Sequence, residues 1–390
     1  MADTQVNSDQ LDGLTPPQIQ GVDEVTDIFT VFVVYGAPTV DLSGFTFSTW
    51  SSAVDGDRVV IDASTADYVT TIVGSTDVDI IRGGYGNDTI TYDPIDESID
   101  GGDGTDTLVV NGAATIDLSL GADQSAGDDA VVTGFENVDA HGSTEAVSLT
   151  GSGAGNVLRG GKGADVIAGG GGADILVVVG DEAVTGETYD GGADDDTLQA
   201  TGTADFTGST ITSIEALTVD GSVTFTSDQL GLGELASSLD VTGTDGTTDT
   251  ITVVVEAGAT GDDLTVDLSG WTFTDWDASS GGDGDLIVID GSAVTDDTKD
   301  QTLTGSSEND QITGGAGDDT ITGGAGKDAL HGGAGSDLLV VAGTDIVAGE
   351  TYDGGTGNDT LQATGTADFT GTTITSIEAL TVDGSVTFTS

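Results

Sequence analysis

Aspartate recurs at positions 310, 319, 328 and 337 of the chain, nine residues apart, each five places after a glycine that opens a turn-like run. Carboxylates at that spacing form either a row of solvated acidic turns or a row of ligands for a hard cation, which takes about six oxygen donors. The same pattern picks out ten candidate metal ligands: Asp88, Asp106, Asp165, Asp174, Asp196, Asp310, Asp319, Asp328, Asp337 and Asp359. Three pairs stand two periods apart, Asp88/Asp106, Asp310/Asp328 and Asp319/Asp337, with Asn156/Asp174 as a weakened version. Asp196 and Asp359 each follow a four-residue insertion beyond that double step, which leaves their stacking partners open.

The elements that must position these acids are units of nine residues. Clean copies open at Gly83, Gly101, Gly160, Gly169, Gly314, Gly323, Gly332 and Gly354, and degenerate ones at Gly74, Gly151, Gly191 and Gly305. The eighth position is aliphatic throughout. It reads Ile72, Ile81, Ile90, Ile99, Leu108 in a first block, Leu149, Leu158, Ile167, Leu176 in a second, and Leu303, Ile312, Ile321, Leu330, Leu339 in a third. It persists where the glycines fail, as in Tyr92 to Asp100, so it marks a stacked internal ladder rather than a composition bias. Glycine permits the positive φ and close backbone approach of a tight six-residue turn. The remaining three residues, such as Thr320-Ile321-Thr322, are a short strand with its aliphatic side chain inward. Two units make one circuit, which places acids two units apart on the same edge. One buried aliphatic per unit offsets little of the backbone entropy of ordering nine residues. Cation binding between stacked turns would supply the rest as folding free energy.

The copies spell GGxGxDxUx, and the chain strongly resembles the RTX family of calcium-binding repeat proteins. The resemblance covers about a third of the residues, in three blocks, and Gly134 to Gly170 looks like an approach strand leading into repeats. It implies a parallel β-roll, calcium as the bound ion, and type I secretion without a cleaved leader.

Composition agrees with a cation partner. Asp and Glu number 69 against 6 Lys and Arg, a formal charge of −63. Nucleic acid and anionic membrane surfaces need clustered basic residues, so neither is an expected partner. There is no cysteine, which excludes disulfides and thiolate metal sites. The N-terminal residues lack the basic and apolar regions of a signal peptide. No run approaches 18 apolar residues, so no membrane-inserted helix is expected. With 63 glycines and 36% hydrophobic residues, the chain would be disordered unless something external stabilises it.

A larger duplication surrounds the repeats. Gly186 to Ser227 recurs at Gly349 to Ser390, shifted by 163, and Val40 to Trp50 recurs at Val266 to Trp276, shifted by 226. The second module is therefore a shortened copy. Its Thr-, Val- and Ile-rich stretches alternate with period two and read as further solenoid rungs without calcium turns. Ser227 to Leu239 is at best a short helix. The organisation expected is a 1–25 extension, a 26–111 strand segment with the first block, a 112–247 module with the second, and a 248–390 shortened duplicate with the third. The last residues, VDGSVTFTS, repeat an interior segment in place of the C-terminal secretion signal that the resemblance implies. Either the chain is cut from a longer one, or its tail is a module edge that neighbours another subunit.

The fold class expected is all-β: an elongated parallel β-roll or solenoid with calcium turns and intervening β-strand modules. His141 and His331 stand alone and read as surface or strand-edge residues. No HExxH, GxSxG or isolated carboxylate pair marks a catalytic site, so no enzyme is expected. Phe45, Phe47, Trp50 and their copies Trp271, Phe273, Trp276 are core packing or, as the minority reading, a sugar-stacking patch. The function expected is an acidic, secreted structural protein that self-assembles on calcium outside the cell as a surface-layer (S-layer), filament or matrix subunit. The alternative is an adhesin or glycan-binding module. The expected partners are calcium ions, further copies in a homo-oligomer or polymer, and, for the alternative, a cell-surface glycan.

Overall fold

The nine-residue period translates directly into strand length and stacking offset. A computed structural model describes residues 4–11, 18–20, 25–34, 39–48, 50–53, 55–230, 234–256, 264–277 and 284–388. Within the repeats most strands are three or four residues long, as in Thr71–Val73, Thr89–Thr91, Thr107–Val109 and Thr320–Thr322, and some run on through the glycines, as in Val166–Gly171 and Ala329–Gly335. Each pairs in parallel with the strand two units further on. Ile72 lies opposite Ile90 and Ile90 opposite Leu108, while Ile81 lies opposite Ile99 on the second face. The second block sets Leu149 against Ile167 and Leu158 against Leu176. The third sets Leu303 against Ile321, Ile321 against Leu339 and Ile312 against Leu330. The fold is thus all-β, a parallel β-solenoid built of stacked coils.

All fourteen eighth-position aliphatics are buried, none more than 2% exposed. Alternation does the rest: in Thr89–Thr91 and Thr320–Thr322 the flanking threonines stay half exposed while the central isoleucine points inward. Coils longer than two units keep the register. Ile99 lies opposite Val132 and Leu108 opposite Val138, and Thr115–Asp117 within the intervening insertion pairs with Ser148–Thr150.

The Thr-rich stretches are rungs of the same kind. Thr197–Asp205 pairs residue for residue with Ile214–Thr226, from Thr197 opposite Ala216 to Asp205 opposite Thr224. Here aromatics replace aliphatics inside. Tyr189 meets Phe206 edge-on at 5.7 Å, and Phe206 stacks on Phe225 at 5.2 Å and 6°. The duplicate reproduces this with Tyr352, Phe369 and Phe388. The segment from Ser227 is a single 3₁₀ turn, Ser227–Gln229, and Leu235–Thr242 is a strand. The short helix expected there shrinks because Leu235, Leu239 and Val241 are needed inward as rung residues.

The chain divides into two units, Met1–Val177 with Gly192–Asp194, and Val178–Gly191 with Asp195–Ser390. No helix among the described residues is long and apolar enough to cross a membrane.

Candidate metal centre

The sixth-position aspartates do not wave in solvent. All ten are buried, none more than 4% exposed, because the glycine pair lets the turn close over its own carboxylate. A Cβ at Gly83 or Gly314 would collide with the carbonyl of Gly101 or Gly332 in the next coil and crowd the unit's own Asp88 or Asp319. Glycine is required there for close approach.

Each carboxylate reaches back one coil. Oδ1 of Asp88 accepts from Thr70 N and Thr70 Oγ1, both at 2.7 Å. Oδ1 of Asp106 accepts from Asp88 N at 2.6 Å, and Oε2 of Glu136 accepts from Asp106 N at 2.8 Å. In the third block the series runs from Gln301 N to Asp319 (2.7 Å), Asp319 N to Asp337 (2.9 Å), Asp337 N to Asp359 (2.9 Å) and Asp359 N to Glu378 (2.8 Å). On the other face Asp310 N donates to Asp328 at 3.0 Å. In the second block Val147 N donates to Asp165 and Asn156 N to Asp174, at 2.8 and 2.7 Å. Asp196 N donates to Glu215 at 3.0 Å. Asp359 therefore stacks on Asp337 despite the four-residue insertion, and Asp196 is followed by Glu215.

The turns come in two forms. In turns opening at Gly83, Gly160 and Gly314, the second glycine donates its N–H to Oδ2 of the unit's own aspartate, at 2.7 to 2.8 Å. In turns opening at Gly101, Gly332 and Gly354, the second glycine is left-handed, with φ of +103°, +113° and +94° at Gly102, Gly333 and Gly355. There Oδ2 of Asp106, Asp337 and Asp359 is buried and accepts no hydrogen bond. The closed form lies beneath the open one in the pairs Asp88/Asp106 and Asp319/Asp337.

A buried carboxylate oxygen with no donor is costly, and more so beside others. Burial pushes the Asp106 carboxyl up to about 6 and that of Asp337 to about 7, with the charges of Asp319, Asp359 and Asp318 adding to the second. Burial likewise lifts Asp319 to about 6 and Asp328 to about 7, and raises Asp174 and, well above the usual range, Asp310. These are the environments that a bound cation relieves. The donors fit calcium: hard oxygens only, with unsatisfied carboxylate atoms facing the turns. Among the described residues no three acidic or histidine side chains converge on one point, so turn carbonyls must complete the shell.

Several contributors escape the nonapeptide reading. Fifth-position side chains cap in the opposite direction: Asn87 accepts from Thr105 N, Asn309 from Lys327 N and Asp318 from Ser336 N, each one coil on. The repeated Asn-Asp and Asp-Asp dipeptides were the signal. Glu136, Glu215 and Glu378 close three ladders, each preceded by Phe or Ile and followed two places on by Val or Leu. Asp79 and Asp96 form a further buried step, Asp79 N donating to Asp96 Oδ1 at 2.9 Å, with Oδ2 of Asp96 unsatisfied. Asp79 holds the sixth place of the Gly74 copy. His141 and His331 are partly exposed and sit beside Asp139 and Asp353, at 2.9 and 3.3 Å.

A family model for the RTX calcium-binding nonapeptide repeat matches residues 66–93, 150–178, 304–339 and 348–369. No curated protein matches the chain. Asp106 and Asp196 fall outside the matched spans, yet they stand in ladders of the same construction. With stacked nonapeptide coils and buried acids at the sixth position, the chain carries RTX calcium-binding nonapeptide repeats in these four spans.

Proposed function

We propose that the protein is a secreted structural subunit that folds when it meets calcium and then assembles with further copies of itself, as a surface layer, filament or extracellular matrix. The observation that carries this reading is the set of buried, stacked carboxylates, Asp106, Asp337 and Asp359 above all, whose Oδ2 atoms have no donor. With six basic residues against 69 acidic ones, the chain cannot neutralise them itself. Calcium supplies that charge, and binding that exists only in the folded state adds to folding free energy. At low cytosolic calcium the chain stays unfolded, a state suited to export, and at extracellular calcium it folds.

The role is structural rather than catalytic: the buried acids are spent on capping amides and holding cations. Trp271 and Phe45 are buried, Phe47 packs on Trp50 at 4.5 Å, and Phe273 on Trp276 at 5.5 Å. That packing supports core duty for the duplicated aromatics over glycan stacking. Circular dichroism with calcium and with chelator, followed by sedimentation, tests the reading. A β-signal indifferent to chelation, or folded protein that stays monomeric at high concentration, would count against it.

A further inference from the structure

The buried step from Asp79 to Asp96 has a counterpart in the third block. Val59 lies opposite Asp79 as Ile287 lies opposite Asp310. Val59 N donates to the carbonyl of Val78, and Ile287 N to that of Asn309. Ser75 N closes on Oδ2 of Asp79 at 2.6 Å as Ser306 N closes on Oδ2 of Asp310 at 2.9 Å. One coil on, Oδ1 of Asp96 accepts from Asp79 N at 2.9 Å as Oδ1 of Asp328 accepts from Asp310 N at 3.0 Å. Asp96 thus occupies the place of Asp328. Its unit, Tyr92 to Asp100, contains no glycine and puts this acid fifth instead of sixth. It also lies past residue 93, where the first family match ends.

Asp96 is 1% exposed, and its Oδ2 accepts no hydrogen bond. The residue lines a cleft of about 310 Å³ together with Arg58, Val78, Ile95, Glu97 and Asp129. The turn beside it is held without glycine: Ile95 N donates to Oδ1 of Asp93 at 3.1 Å, and Asp129 N to the carbonyl of Pro94 at 3.2 Å. Glu97 and Asp129 stand exposed at the rim. Arg58 is the one basic residue of the cleft and meets Glu97 at 3.4 Å. Burial pushes the Asp96 carboxyl up to about 9, with the charge of Asp79 adding to it. A carboxylate oxygen without a donor, at the base of an acid-rimmed cleft, is a costly arrangement that a hard cation relieves. Calcium accepts about six to eight oxygens and keeps water among them, so the shell does not need three converging side chains.

We propose that this cleft binds calcium through the free oxygen of Asp96, with Glu97 and Asp129 at its rim, as a site outside the glycine repeats. It rests on the calcium reading of the acid ladders and extends that reading to a unit whose sequence has lost the repeat. Arg58 tempers the site, because its guanidinium occupies Glu97 and sets a positive charge at the mouth. The cleft therefore binds more weakly than the glycine turns and fills last.

Calorimetric titration of the full chain with calcium, with circular dichroism alongside, tests this. D96N keeps an oxygen for Asp79 N but no charge. It should reach the wild-type β-signal in calcium and lose the last, weakest phase of binding. R58Q should tighten that phase several-fold, and R58Q/D96N should behave as D96N. The rim variant E97Q/D129N leaves Asp96 in place and should weaken the last phase several-fold. Equal calcium stoichiometry in wild type and D96N, or a rim variant that titrates as wild type, would overturn the site while leaving the glycine turns as calcium sites. If the wild-type protein binds no calcium, the reading of the ladders fails and this site with it.

Discussion

The main-chain N–H of Asp337 donates to Oδ1 of Asp359 at 2.9 Å, across a coil four residues longer than the one below it. The acid ladder thus runs through a coil-length change without losing register. Each acid in it has two separable duties, capping an amide of the coil before it and holding negative charge for a cation.

Asp337→Asn and Asp337→Ala should separate those duties. The amide oxygen of Asn can still accept from Asp319 N but carries no charge. This variant should show more β-structure than wild type in chelator and need several-fold more calcium to complete folding. Ala leaves a buried N–H unpaired and should cost about 1–3 kcal/mol with or without calcium. The check is circular dichroism across a calcium titration, and identical titrations for wild type and Asn would refute the charge argument.

The fifth position gives a contrasting case. Asn309 accepts from Lys327 N at 2.7 Å on a more exposed edge. Asn309→Ala should lower the stability of the calcium-loaded protein by about 0.5–1.5 kcal/mol and leave calcium stoichiometry unchanged. Denaturant melts in saturating calcium, paired with calorimetric titration, measure both.

Glycines should divide sharply by place. Gly333 has φ of +113° and would drive a Cβ into the carbonyl of Gly315, whereas a Cβ at Gly112 meets nothing within 4 Å. Gly333→Ala should cost about 1–3 kcal/mol or more, and Gly112→Ala should be neutral. Equal effects in thermal melts would mean that the third-block turn is not held left-handed.

Acid should substitute in part for calcium. Asp337 and Asp328 are raised to about 7, and Asp106 and Asp319 to about 6, above the usual carboxylate value in the unfolded chain. The folded state then binds more protons than the unfolded one between those values, so stability rises as pH falls. Metal-free protein should gain β-signal as pH drops from about 7 to about 4, and lose it again as pH rises through 7. In saturating calcium that gain should disappear.

How far the sequence was legible depended on what each residue needs. Ile321 and Leu330 declared themselves because an inward rung tolerates only aliphatics, and periodicity exposes that constraint directly. Asp319 was legible as a ligand candidate for the same reason. Its amide-capping duty was not, because which oxygen faces which coil depends on register and on the φ of the glycine beside it. Glu136 and Glu378 hid for a different reason: they stand 30 and 19 residues beyond the acids whose amides they cap, outside any fixed period.

The glutamates carry one more consequence. Each sits past a block, without a glycine pair of its own, and caps the last aspartate amide with a longer arm. A block can therefore be lengthened or shortened by whole circuits without redesigning either neighbour, because the closing residue reads only the coil beneath it. Capacity for calcium becomes a quantity that duplication and deletion can tune one circuit at a time, leaving the intervening strands untouched.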